Sequence, residues 1–160
     1  GHKISGIRWD DIHFNDSEYE KWTAYGQSKT AASLLAVEVD KRMKDSGVRA
    51  FGVHPGGIMT PLQRHLEQEE MVALGWMDKD GQPTERVAKM FKSATQGAST
   101  TLWAATSPQL DGIGGVYCEN CEVAAPTDDG ENARFIGVND WAVDSDEASR
   151  LWDETEHMLS

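Results

Sequence analysis

Positive charge is in short supply: 15 lysines and arginines face 27 aspartates and glutamates in 160 residues, for a formal net charge of −12. So acidic a chain, with no basic stripe along any segment, lacks the electrostatic footprint of a nucleic-acid binder. Long apolar runs are missing too. No stretch approaches the roughly 20 residues that a bilayer span requires, and the opening "GHKISGIRWDD" has no apolar signal core. These absences predict a cytoplasmic protein without a membrane span. An initiator Met is also absent, so a chain that opens on Gly1 reads as processed, tagged or truncated. Cysteine is scarce, with only Cys118 and Cys121 in "YCENC". A four-thiolate zinc site needs a second pair. A redox dithiol belongs at a helix start, whereas these cysteines follow the predicted strand "GGVYC". Both are read as structural, and no metal is expected.

The length suits one domain, residues 1–160, with a core of its own. Acidity concentrates at one end, residues 121–160 holding 11 acids against 2 bases. That segment reads as an acidic, solubilising C-terminal extension with an amphipathic helix from Asp144 to Leu159. Upstream, an irregular lead-in gives way to a helical pattern from Thr23 to Ser46, apolar around most of its circumference (Ala31, Ala32, Leu34, Leu35, Val37, Val39, Met43). A helix of that kind is covered on two sides, by a sheet and by another helix or subunit. This predicts a homodimer or homotetramer formed through residues 23–46. Gly47 supplies the stop, and "VRAFGVH" (48–54) follows as a short strand ending at Pro55. Helix, tight turn, buried strand and Pro-Gly-Gly make an α/β rhythm with a parallel sheet, whose ligands sit beyond the carboxyl ends of the strands. Residues 63–83 are predicted to hold a short helix and a turn, another helix runs from Thr84 to about Ser107, and a last strand covers "VYCEN".

Tyr25 and Lys29 are four residues apart, so they share one face of the first helix. An isolated tyrosine is far too weakly acidic to work as a base at neutral pH. A lysine ammonium beside it stabilises the phenolate, so the pair is a plausible proton-transfer device for an alcohol or a carbonyl.

The stretch "YGQSKTAASLLAVEVDKRMKDSGVRAFGVHPGGIMTPL" resembles the short-chain dehydrogenase/reductase family, with its Y-x-x-x-K helix, apolar run, strand, Pro-Gly and nearby Thr. "TQGASTTLWAATSPQLDGIGGVYCENC" extends the likeness to the family's closing helix and strand, and "GIRWDDIHF" is most similar to the retinol-dehydrogenase-like branch. The resemblance implies the C-terminal half of a Rossmann-type, doubly wound parallel sheet. It implies NAD or NADP as cofactor and an alcohol or carbonyl substrate of apolar character. Tyr25 would be the catalytic acid/base, and Lys29 would assist it while holding the nicotinamide ribose. Pro55, Gly56 and Gly57 would shape the turn beside the nicotinamide, with the backbone of Ile58 and the hydroxyl of Thr60 facing its carboxamide or the phosphates. Met59, Leu62, Leu66, Trp76 and Met77 fall in the family's variable substrate segment, where methionines beside an indole suit an apolar pocket.

Half of that family's pattern is missing. There is no glycine-rich phosphate turn opening a helix; "GIGG" near residue 112 comes too late and leads into no helix. Neither is there a residue to select NAD from NADP, nor a central Asn-Ala-Gly strand end. Ser5 lies in a lead-in without a preceding strand and Ser17 in a polar, acidic stretch; the resemblance to the retinol-dehydrogenase-like branch, with its longer lead-in, implies a catalytic serine just ahead of Gly1. The chain alone is therefore expected to lack the N-terminal dinucleotide-binding half and to be inactive. The competing expectation is a non-catalytic module, derived from such an enzyme, that dimerises or binds a partner.

Overall fold

A computed structural model describes residues 1–128, 130 and 135–160. Helix α1 (Lys21–Met43) begins where the Glu20 carboxylate accepts the backbone N–H groups of Trp22 and Thr23, at 2.9 and 2.6 Å. An acid there satisfies free N–H groups and suits the positive end of the helix. The helix tightens into a 3-10 turn over Lys44–Ser46, and the chain reverses at Gly47 with φ +79°, which glycine adopts without strain. Next come β1 (Phe51–His54), α2 (Gln68–Ala73), α3 (Glu85–Met90), α4 (Ala94–Thr106), β2 (Val116–Glu119), β3 (Glu122–Val123) and α5 (Ser145–Leu159).

β1 and β2 pair in parallel, with Phe51 opposite Val116 and His54 opposite Glu119; β3 returns antiparallel on β2. The result is an α/β layer around a three-stranded sheet in the order β1-β2-β3. The β2–β3 turn is a two-residue hairpin in which Asn120 and Cys121 both have positive φ, 51° and 61°. That left-handed pair matches the twist of the flanking strands. Cys118 and Cys121 are free thiols, the first fully buried in β2 and the second in the turn.

β1 is shorter than predicted, beginning at Phe51 rather than Val48, and the residues before it serve a buried charge. Asp40 is 5% exposed and accepts from Arg49 Nε at 2.8 Å, Arg49 Nη2 at 3.0 Å and the Ala50 N–H at 3.1 Å. Gly114 and Gly115 of "GIGG" close over the Asp40 carboxylate, and a side chain at Gly114 would collide with it and with the Arg49 guanidinium.

The predicted helix over 84–107 is two helices. Phe91 and Lys92 are extended between them because the Lys92 N–H donates to Gly57 O at 2.8 Å, and Ser93 then caps α4 in a reciprocal bond with Gln96. The acidic segment is likewise more than a solvated tail. Val138 and Ala142 join Tyr117 in one apolar cluster, while Ala104, Leu110 and Cys118 form another. Tyr117 and Cys118 serve different clusters because adjacent strand residues point to opposite faces.

Three neighbours cover α1. The sheet approaches at Gly52, where a Cβ would stand 3.1 Å from Ser33 Oγ. The lead-in crosses at Gly26, where a Cβ would meet Ser5 N at 2.8 Å, and Thr30 Oγ1 donates to Ser5 O at 2.7 Å. α5 packs on the C-terminal half, where Ser149 Oγ donates to Glu38 at 2.9 Å and the Arg42 guanidinium lies 4.6 Å from the Trp152 ring centroid. The cover expected from another helix or a subunit is thus supplied over that stretch by the chain's own last helix. Leu35 and Met43 of the predicted apolar girdle remain 52% and 43% exposed.

Candidate active site

Tyr25 and Lys29 lie on the second and third turns of α1, both exposed and bordered by the first residue of the lead-in. Tyr25 is exposed, and the Lys29 ammonium lies 5.3 Å from the centroid of its ring. On the other side Trp22 meets the Tyr25 ring edge-on, centroids 6.0 Å apart. The backbone of Gly1 passes so close that a Cβ there would stand 3.0 Å from Tyr25 Cε1 and 2.6 Å from Lys29 Cγ. Lys29 makes no ion pair among the described residues. An ammonium without a carboxylate partner, beside an exposed phenol, leaves both groups available to a ligand.

The chain start joins this pair to the carboxyl end of β1. The Gly1 ammonium is pushed below its usual range by burial first and then by Lys29 and Lys3. It acts in turn on His54, the last residue of β1, whose imidazole is held below its ordinary pKa chiefly by burial. His54 Nδ1 lies 3.8 Å from Glu119 Oε2 at the end of β2. His2 is buried beneath. Its Nε2 accepts the Asn139 N–H at 3.2 Å, so Nδ1 carries the proton and donates to Tyr117 Oη at 3.2 Å. Burial, followed by the Gly1 ammonium, pushes His2 down to about 4. Tyr117 is pushed up by burial and then by Glu119 and Tyr25. Tyr25, the chain start and the ends of both parallel strands thus converge on one region, the ligand-binding edge of an open α/β sheet.

The turn after β1 is packed from behind by the chain itself. At Gly56, φ +92°, a Cβ would meet the Lys92 stem at 2.8 Å; at Gly57 it would meet the Phe91 ring at 3.0 Å. Ile58 pairs with Lys92 and its side chain fills the space over Gly97, beside Pro55 O. The Thr60 hydroxyl caps the following 3-10 turn, accepting the Leu62 N–H at 3.3 Å, while Gln63 Oε1 takes the Thr60 N–H at 2.7 Å. Its hydroxyl therefore already serves a local bond.

Between Ile58 and Lys92 the chain makes an excursion closed at its base by these contacts. Met59 and Leu62 on it are 40% and 64% exposed. Trp76 meets Phe91 edge-on with centroids 5.8 Å apart, and Met77 pairs with Pro83, so these two act in the excursion's own packing. Leu66 ends the 3-10 turn, half-buried. Glu70 on α2 reaches Lys21 at the head of α1, with Nζ–Oε2 at 2.6 Å. A separate groove of about 420 Å³ lies along β1, lined by Phe51, Val53, Thr101 and Ala104 among others, none of them a candidate site residue.

Over 160 residues the chain is 37% identical to the short-chain dehydrogenase/reductase prx1 of Penicillium roqueforti, matching all of this chain and 44% of that protein. It is 33% identical to oxidoreductase calI of Penicillium decumbens over 99% of this chain and 45% of that one. It is 29% identical to mouse retinol dehydrogenase 12 over 99% of this chain and 42% of that protein. The chain is homologous to the short-chain dehydrogenases/reductases. It spans about half the length of these relatives, on a C-terminal portion of them. No family model matches it. An uncharacterized protein from Mycobacterium paratuberculosis shares the fold, with a TM-score of 0.57 at 22% identity over 98% of this chain and 46% of its own.

Sequence reasoning missed His2, Glu119 and Lys21. His2 and Glu119 are buried polar residues whose partners stand 115–137 and 18 positions away, which no local spacing could reveal. Lys21 carried a signal, since it stands one helical turn before Tyr25 on the same face.

Proposed function

We propose that the chain is the Tyr–Lys portion of an NAD(P)-dependent oxidoreductase that interconverts an alcohol and a carbonyl. Its fold on this reading is the C-terminal half of a doubly wound Rossmann-type sheet, the dinucleotide-binding half lying elsewhere in the protein. The observation that carries the reading is the exposed Tyr25–Lys29 pair facing the carboxyl end of the parallel strands. β1 as an edge strand with an open groove beside it agrees with a sheet that continues past β1.

The donor set fits the nicotinamide-ribose end of a dinucleotide. Lys29 is a cation without an acidic partner among the described residues, and the backbone of Pro55, Gly56, Gly57 and Ile58 forms a fixed turn at the strand end. Nothing in these residues cradles a pyrophosphate, so the isolated chain should bind and turn over little. When bound, the nicotinamide donates or accepts the hydride. Tyr25 Oη exchanges a proton with the substrate oxygen, giving it up as a carbonyl is reduced and taking it as an alcohol is oxidised. The Lys29 ammonium favours the phenolate as the proton leaves and offers donors to the ribose hydroxyls. In a longer chain, the residues leading into Gly1 would enter beside the Tyr25 ring, where a serine hydroxyl could share the substrate oxygen.

The test is the longest natural form of the protein, assayed with NADH and NADPH against apolar aldehydes. Tyr25→Phe should lower kcat by roughly a hundredfold or more while leaving the dinucleotide Kd unchanged. Lys29→Met should impair both. Full activity in Tyr25→Phe would overturn the mechanism.

A further inference from the structure

Lys21, Tyr25 and Lys29 recur at four-residue intervals, so they line one face of α1. The first of the three is tied to a segment far away in sequence. Glu70 Oε2 on α2 lies 2.6 Å from Lys21 Nζ, and among the described residues no other ion pair leads out of the 58–92 excursion. Lys21 Nζ also lies 5.8 Å from the Trp22 ring centroid, and Trp22 meets Tyr25 edge-on. The excursion is self-contained at its base, where Lys92 N–H donates to Gly57 O, and inside, where Thr84 Oγ1 donates to Gly75 O at 2.8 Å. It carries few buried side chains: Val87 alone is buried among its helical residues. A segment with little core of its own opens easily, so a single tie to the Tyr25 face has leverage over where it sits.

We propose that the Glu70–Lys21 ion pair is the latch holding the 58–92 excursion against the face of α1 that bears Tyr25 and Lys29, and that it sets how firmly substrate is held there. The latch itself rests on geometry alone; its effect on substrate rests on the oxidoreductase reading above. Lys21 and Glu70 are positioning residues, acting through the excursion rather than on the reacting atoms. Lys21 is about half exposed and Glu70 about one-fifth, so water and salt weaken the pair, and the effect should be modest and salt-sensitive.

The experiment uses the longest natural form of the protein and the variants Glu70→Gln, Lys21→Glu and the swap Lys21→Glu/Glu70→Lys. With decanal and NADPH or NADH as probes, Glu70→Gln should raise KM roughly two- to fivefold, with kcat within about twofold. The swap should restore KM, which a merely structural loss would not allow. Amide hydrogen exchange over residues 60–80 should quicken in Glu70→Gln, in Lys21→Glu and in the unaltered protein at about 0.5 M salt, and return in the swap. Unchanged exchange in Glu70→Gln, or a swap that rescues neither exchange nor KM, overturns the latch. If decanal is not turned over with either nicotinamide, the oxidoreductase reading loses support, while the exchange result still decides the latch.

Discussion

Acid should loosen this fold through His2 before it protonates the surface carboxylates. The ring is 3% exposed and bonded at both nitrogens, accepting the Asn139 N–H and donating to Tyr117 Oη. Protonation would turn Nε2 from acceptor to donor and set it against the Asn139 N–H. With a folded pKa of about 4 against an ordinary 6.5, the neutral ring stabilises the fold fully above pH 6.5. That contribution is lost as pH falls from 6.5 towards 4. At 1.36 kcal/mol per unit the span corresponds to an expected loss of about 3 kcal/mol. Urea unfolding between pH 7 and pH 4 measures the loss, and NMR titration of the His2 ring protons assigns it. A His2 midpoint at or above 6.5 would refute the argument, since a ring bonded this way cannot gain a proton freely.

Asp40→Asn removes the charge that Arg49 and Ala50 share and should cost about 2 kcal/mol at neutral pH. Bonding to Arg49 is the main cause holding the Asp40 carboxyl below its usual range. The stability it gives is therefore present above about pH 4 and fades as pH falls through its lowered value, so the variant's deficit in urea melts should shrink near pH 3. Gly26→Ala gains about 1 kcal/mol of helix propensity but drives a Cβ to 2.7 Å from Ile4 Cβ and 2.8 Å from Ser5 N. Overpacking against backbone costs about 2 kcal/mol, so the net sign should be destabilising, read as a lower Tm. Glu38→Ala leaves Arg42 and Ser149 without their shared acceptor. It should quicken amide exchange across Ser145–Leu159 more than across α4.

The order of elements along α1, β1, α4 and β2 was legible because each carries its own period and punctuation, such as Gly47 after the helix and Pro55 after the strand. The break at Phe91–Ser93 was not, since helical propensity runs through it and the deciding bond comes from Gly57, 35 positions earlier in the chain. Ser93 followed by Gln96 was a local sign of the new start that the continuous pattern masked. Tyr25 and Lys29 were singled out by their spacing together with the family resemblance of the surrounding stretch, and the structure adds that both are exposed. The polar interior was hidden: Thr30, Ser33, Glu38 and Asp40 sit buried on a helix whose apolar residues alone suggested its core. The C-terminal segment read as solvated because charge dominates its composition, while Val138, Ala142 and Ala148, the residues that pack, are few.

The knot of contacts around His2 ties the opening residues of this sequence to its last helix. His2 O accepts from Trp141 Nε1, and Trp9 donates to Glu147 at 2.6 Å and lies under the Arg150 guanidinium. Loops that long must close before these contacts stabilise anything, and such closure is slow. Until α5 forms, the lead-in keeps its contacts with α1 at Gly26, Gln27 and Thr30 but lacks those of Trp9 with Glu147 and Arg150. During synthesis these contacts should therefore form late, after the residues of α5 have been made.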